Sequence, residues 1–177
     1  VGGRGALAIE GMGARYADFS RRLGVTNWIF EGPEIFKRAV SGMGQAAAQV
    51  LASRGLTAAD VDLVVPHQAN LRIIEAVAKR LDVPMDRVMV NVQRYGNMSA
   101  ATVPVALVEA LEERRLAPGS LVLMPAFGGG LTYCSLLARW GDRVVPRDVS
   151  PAELAPCPHS ALEQVRALMR LRDGESG

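Results

Sequence analysis

An α/β fold is expected for this chain of 177 residues, and three observations in the sequence predict it. Short apolar runs, Val61 to Val65 and Val88 to Val92, alternate with longer segments that repeat at helical spacing. Each run breaks abruptly into polar residues, Pro66 to Asn70 after the first and Arg94 to Ser99 after the second. A closing pair of runs, Leu121 to Ala126 and Leu131 to Arg139, flanks Phe127 and the triplet Gly128-Gly129-Gly130, as two strands joined by a glycine turn would.

In chain order, Gly5 to Glu10 reads as a short strand, and residues 11 to 31 carry no period and read as loop. Pro33 suits the first turn of a helix running to about Ser53, with Phe36, Val40, Met43, Ala47, Val50 and Leu51 on one face and Gly55 as its stop. Thr57 to Asp60 has the form of a capping box. Asn70 is placed to cap a second helix whose stripe is Leu71, Ile74, Val77, Ala78 and Leu81. Pro84 and Asp86 mark a turn before the run Val88 to Val92. A third helix turns Val103, Leu107, Ala110 and Leu111 inward and ends before Pro118-Gly119. From Gly141 the composition shifts. Pro146, Pro151, Pro156 and Pro158 punctuate a linker, and an amphipathic helix from Ala161 to Leu171 is expected to pack back on the body. The chain divides accordingly at about residue 140, into a body (1–140) and an appendage (141–177).

Composition narrows the function. With 49% apolar and 21% charged residues the chain can bury one good core, which excludes a disordered or collagen-like protein. A net charge of +2 predicts no nucleic-acid partner by bulk electrostatics. The uncharged stretch Leu116 to Ala138 contains two prolines and the glycine triplet, so it reads as strands rather than a membrane span. Val1-Gly2-Gly3-Arg4 has no signal-peptide character and there are only two cysteines, so the cytoplasm is the expected compartment. Cys157 and His159 make a poor metal pair, and no metal is expected. Cys134, inside a strand, reads as a buried structural thiol.

In open α/β sheets ligands sit beyond the carboxyl ends of the strands. His67, Asn97 and Gly128 to Gly130 each follow a strand in this reading, so three breaks converge on one rim. Singly, each has a plainer explanation: a structural histidine, a turn asparagine, and glycines that allow tight backbone packing. The wording of the motifs adds what spacing does not. Val65-Pro66-His67-Gln68-Ala69-Asn70-Leu71-Arg72-Ile73, Tyr95-Gly96-Asn97-Met98-Ser99-Ala100-Ala101 and Ala126-Phe127-Gly128-Gly129-Gly130 occur in that order. With Glu31-Gly32-Pro33-Glu34-Ile35-Phe36-Lys37 they closely resemble the C-terminal half of β-ketoacyl-acyl-carrier-protein synthase III, a condensing enzyme of the thiolase superfamily. The resemblance runs from about Glu31 to Trp140, more weakly from Val1.

That resemblance implies a thiolase-like half: a five-stranded mixed sheet with packed helices, here followed by the helical appendage. It implies fatty-acid chemistry, in which an acyl group held as a thioester on a cysteine joins a malonyl thioester that loses CO2. His67 and Asn97 would donate hydrogen bonds to the enolate oxygen so formed, as an oxyanion hole does. Asn70, Gly32 and Phe36 would line the pantetheine tunnel, and Gly128, Gly129 and Gly130 would admit the substrate beside bare backbone. Lys37, Arg72, Lys79 and Arg80 would meet the acidic acyl carrier protein. Coenzyme A and phosphopantetheine thioesters are substrates in this picture, and no cofactor is expected. Acyl-CoA, carrier protein, a second copy and the missing N-terminal half or a full synthase chain are the implied partners. The family's nucleophilic cysteine lies in that other half, so this chain alone is expected to be inactive, and to expose the apolar surface that normally meets it. Two other readings stay open: a non-catalytic carrier-protein-binding or regulatory subunit, and a condensing relative with a different starter.

Overall fold

The structure, a computed structural model, describes Leu7–Ile9 and residues 28–146, 151–153 and 156–172. Most of the loop read at residues 11 to 31 lies outside them. Two three-residue strands, β1 (Leu7–Ile9) and β2 (Trp28–Phe30), pair antiparallel with Leu7 opposite Phe30. Helix α1 (Gly32–Ala52) follows, then β3 (Leu63–Val64), α2 (Leu71–Leu81), the single turn α3 (Val92–Tyr95), α4 (Thr102–Glu112), β4 (Leu121–Gly128), β5 (Thr132–Arg139) and α5 (Ala161–Arg172). β3 lies parallel to β4 and β5 antiparallel to it, in the order β3-β4-β5.

The sheet divides the core by strand alternation. Val64, Leu121 and Leu123 face α1 and α2, where they meet Met43, Ala47, Ile74 and Val77. Leu63, Val65, Val122 and Met124 face the other way, onto Ala106, Ala110 and Leu111 of α4. The body is therefore layered helix, sheet, helix. In α1 the buried line is Ile35, Ala39, Met43, Ala47 and Leu51, at every fourth residue. Phe36, Val40 and Val50 from the expected stripe pack only at its edge. In α2 the stripe includes Ile73, and Leu71 is exposed instead. The Tyr133 ring of β5 lies directly on Gly42 of α1: a Cβ there would come within 2.5 Å of it. Glycine at that point lets strand and helix approach.

The expected five-stranded sheet is corrected in two ways. Among the described residues the five strands divide into a two-stranded and a three-stranded sheet. The run Val88 to Val92 is not a strand either, because it touches the sheet only through one bridge from Val88 to Val64. The Gln68 side chain takes over its backbone: Nε2 donates to Met89 O (3.1 Å), and Oε1 accepts from Asn91 N (2.9 Å) and Val92 N (3.2 Å). Those groups are satisfied without a neighbouring strand, and the chain turns into α3 at Val92. The appendage also departs from expectation, since Leu162, Val165, Leu168 and Met169 of α5 are all exposed instead of packing on the body.

Candidate active site

β3 carries His67 to the rim by prolonging its pairing beyond the strand proper. Val65 N–H donates to Leu123 O (2.8 Å) and His67 N–H to Pro125 O (2.9 Å). The imidazole is 8% exposed and meets the Phe127 ring edge-on, with centroids 5.4 Å apart. Its Nδ1 lies 2.6 Å from the hydroxyl of Thr102, the first residue of α4. Burial pushes the imidazole below its ordinary pKa and so favours the neutral ring.

Asn97 reaches the same rim from a turn after α3, not from the end of a strand. Its Oδ1 accepts from the backbone N–H of Ser99 (2.9 Å). A backbone N–H can only donate, so the atom facing it has to be the amide oxygen, and this fixes the carboxamide the right way round. The amide N–H2 then has no hydrogen-bond partner among the described residues and remains available. The turn is strained: Ser99 has φ of 56°, in the left-handed region that side chains disfavour.

Glycine provides the third edge. Among the described residues, a Cβ added at Gly129 or Gly130 would meet nothing within 4 Å. Gly130 has φ of 72° and turns β4 into β5. One open cleft of about 1410 Å³ is lined by His67, Asn97 and Gly128 to Gly130 together with Gly32, Phe36, Asn70 and Arg72. Asn70 serves two ends there, because its Oδ1 also caps α2 at Ile73 N (3.0 Å). Arg72 holds its guanidinium over the Phe36 ring, 5.9 Å from the centroid. Lys37, Lys79 and Arg80 are exposed on α1 and α2 and do not line the cleft. Cys134 corrects the sequence reading. It is exposed and borders the cleft, on β5, the outer strand of its sheet among the described residues.

Sequence reasoning missed the polar frame behind the rim. Gln68, fully buried, ties the loop of His67 to the segment before Asn97 and also donates to Pro66 O (2.8 Å). Glu109, 4% exposed, receives hydrogen bonds from Asn91 Nδ2 (2.7 Å), Arg94 and the Tyr95 hydroxyl (2.7 Å), gripping α3 from α4. Burial pushes the Glu109 carboxyl up, but the bonds from Tyr95, Asn91 and Arg94 together outweigh it and hold the group below the ordinary glutamate value. A carboxyl depressed in the folded state lends stability that is complete above its unfolded value of about 4.3 and is lost as pH falls through the folded value. Acid should therefore loosen α3 and the Asn97 turn, and Glu109→Gln should flatten that dependence. Amide exchange at residues 92–97 across the acid range checks it; an identical acid profile in the variant would contradict it.

The geometry gathers a buried imidazole, an oriented carboxamide and bare glycine backbone around one cleft at the carboxyl end of a mixed sheet. The family model described as 3-oxoacyl-(acyl-carrier-protein) synthase III C terminal matches residues 51–140. The chain belongs to this family. It is 47% identical over 161 residues to β-ketoacyl-(acyl-carrier-protein) synthase III 2 of Vibrio cholerae, covering 91% of this chain and 44% of that protein. It is 59% identical over 109 residues to the β-ketoacyl-(acyl-carrier-protein) synthase III of Roseiflexus castenholzii, covering 62% and 33%. Among solved structures, the Pseudomonas aeruginosa 3-oxoacyl-(acyl carrier protein) synthase III superposes with a TM-score of 0.69 at 34% identity, covering 80% of this chain and 41% of that one. The Aquifex aeolicus synthase III gives 0.64 at 41% identity, covering 77% and 44%. The chain thus spans less than half the length of the relatives it matches.

Proposed function

We propose that this chain supplies the oxyanion-binding half of a decarboxylating condensation between an acyl thioester and a malonyl thioester on acyl carrier protein. The observation that carries this reading is that His67 and Asn97 line one cleft, with the carboxamide oxygen already engaged and burial favouring the neutral ring. Breaking the bond to the malonyl carboxylate releases CO2 and leaves its electron pair as an enolate, with negative charge on the thioester oxygen. His67 N–H and Asn97 N–H2 donate to that oxygen from positions fixed before reaction, so little reorganisation is needed. The enolate carbon then attacks the acyl thioester carbonyl. A carbon–carbon bond forms, the carbon–sulfur bond to an enzyme cysteine breaks, and the thiolate leaves.

Within this reading residues 1–140 are the catalytic half and 141–177 an appendage to it. Gly32, Phe36 and Asn70 form the wall beside a pantetheine arm, and Gly128 to Gly130 admit the thioester without a side chain intervening. Arg72, at the cleft mouth, and the exposed Lys37, Lys79 and Arg80 face the acidic carrier protein, and two copies assemble around the completed site. The nucleophilic cysteine comes from the part of the relatives' length that this chain does not span. Cys134 lies within β5 and Cys157 in the segment before α5, so neither opens a helix as the family's nucleophile does. The pure chain given acetyl-CoA and malonyl-carrier protein should therefore release no β-ketoacyl product. Sustained turnover would contradict this division of labour.

A further inference from the structure

We infer that Thr102 is a positioning residue: its hydroxyl donates to His67 Nδ1 and so holds the proton of the neutral ring on Nε2, the nitrogen left to serve the cleft. The inference rests on the reading of His67 as a hydrogen-bond donor and asks what makes it one. A neutral imidazole has one donor and one acceptor nitrogen, and which is which follows from the partner each finds.

Nδ1 has one side-chain partner among the described residues, the Thr102 hydroxyl at 2.6 Å, and Thr102 is fully buried. That hydroxyl has a single proton and two acceptors within reach, His67 Nδ1 and the carbonyl of Ser99 at 3.0 Å. If the proton points to Ser99, Nδ1 has to carry the ring proton and Nε2 presents a lone pair, which would repel a developing oxyanion. If it points to the ring, Nε2 carries the proton and can donate. Two observations favour the ring. The contact to Nδ1, at 2.6 Å, is shorter than the usual N–H···O range and so fits the hydroxyl as the donor. The Ser99 carbonyl already accepts the backbone N–H of Thr102, so it is not left unpaired when the hydroxyl turns away.

The placement of Thr102 adds to this. It opens α4 with its side chain fully buried, so the hydroxyl oxygen is held between the ring and the Ser99 carbonyl. Its hydroxyl belongs to the turn in which Ser99 N–H orients the Asn97 carboxamide. One short segment, residues 97–102, thus sets the direction of both donors: Asn97 through a backbone N–H and His67 through a side-chain O–H.

The chain contains only two histidines, His67 and His159, so a sample labelled with nitrogen-15 in histidine gives a readable spectrum of ring nitrogens in solution or in the solid. The wild-type chain should show His67 as one tautomer, with a protonated Nε2 and an imine-like Nδ1. Thr102→Val should mix the tautomers and narrow the separation between the two nitrogen shifts, and Thr102→Ser, which keeps the hydroxyl, should restore it. Should the valine variant fail to fold, the wild-type chain still decides the matter through a slowly exchanging Thr102 hydroxyl proton coupled to Nδ1 across the hydrogen bond. Absence of that coupling would overturn the inference. A proton found on Nδ1 of the wild-type ring would overturn both this inference and the donor role of His67. A pure Nε2–H tautomer that persists in Thr102→Val would remove Thr102 from the account and leave the donor role standing.

Discussion

His67→Ala, in the complete enzyme, should lower condensation by on the order of 100-fold or more while acyl loading onto the nucleophilic cysteine proceeds nearly as before. Loading needs a thiolate and an acyl donor. Decarboxylation needs somewhere to place a negative oxygen, and under the proposed reading the variant loses one of its two donors. Asn97→Ala should behave in the same way for the same reason, because its N–H2 is free only while Oδ1 is held by Ser99 N–H. Following CO2 release from malonyl-carrier protein separately from acyl transfer to the cysteine checks both variants. If either loses loading and keeps decarboxylation, the donor assignment is wrong.

The largest stability effect is expected at Gln68, a residue that touches no substrate in this account. Gln68→Leu would leave Asn91 N and Val92 N without acceptors and remove donors from Pro66 O and Met89 O, all close to a fully buried side chain. A buried group left unpaired costs about 1–3 kcal/mol, and partial relaxation keeps several such losses from adding in full, so a total of about 3–5 kcal/mol is expected. That is a large fraction of the roughly 5–15 kcal/mol that holds a domain folded. Gln68→Glu should fall in between. It keeps an oxygen for the two backbone N–H groups but turns a second oxygen toward two carbonyls. Urea denaturation of the three chains measures the order. A loss below about 1 kcal/mol in the leucine variant would show that the two loops hold their places without this side chain.

What could be read from the sequence was what depends on neighbours in the chain. The Thr57–Asp60 capping box, the Asn70 cap and the limits of α1, α2 and the β4–β5 pair follow from local spacing, and the structure shows them within a residue or two. What failed depends on partners far along the chain. Residues 28–30 pair with 7–9 across a long gap, and a three-residue strand has no period to reveal it. Val88 to Val92 has the composition of a strand, but a glutamine more than twenty residues earlier satisfies its backbone. Glu109 looks like a solvated position on an amphipathic helix, and three partners from α3 and the residue before it make its burial tolerable. The exposure of Cys134 depends on what packs over its face of β5, which local spacing does not show. At the site the motifs named the residues at the rim, His67, Asn97 and Gly128 to Gly130. They gave no sign of the frame behind them, because Gln68, Thr102 and Glu109 carry ordinary side chains whose roles exist only once the loops are folded together.

Isotope-edited infrared spectroscopy of a malonyl thioester bound in the completed cleft, with the thioester carbonyl labelled, reads the two hydrogen bonds at the oxygen itself. The carbonyl stretch should shift to lower frequency on binding, and each of His67→Ala and Asn97→Ala should recover part of that shift. A bound carbonyl that absorbs where the free thioester does, or a shift that neither substitution alters, would contradict the account.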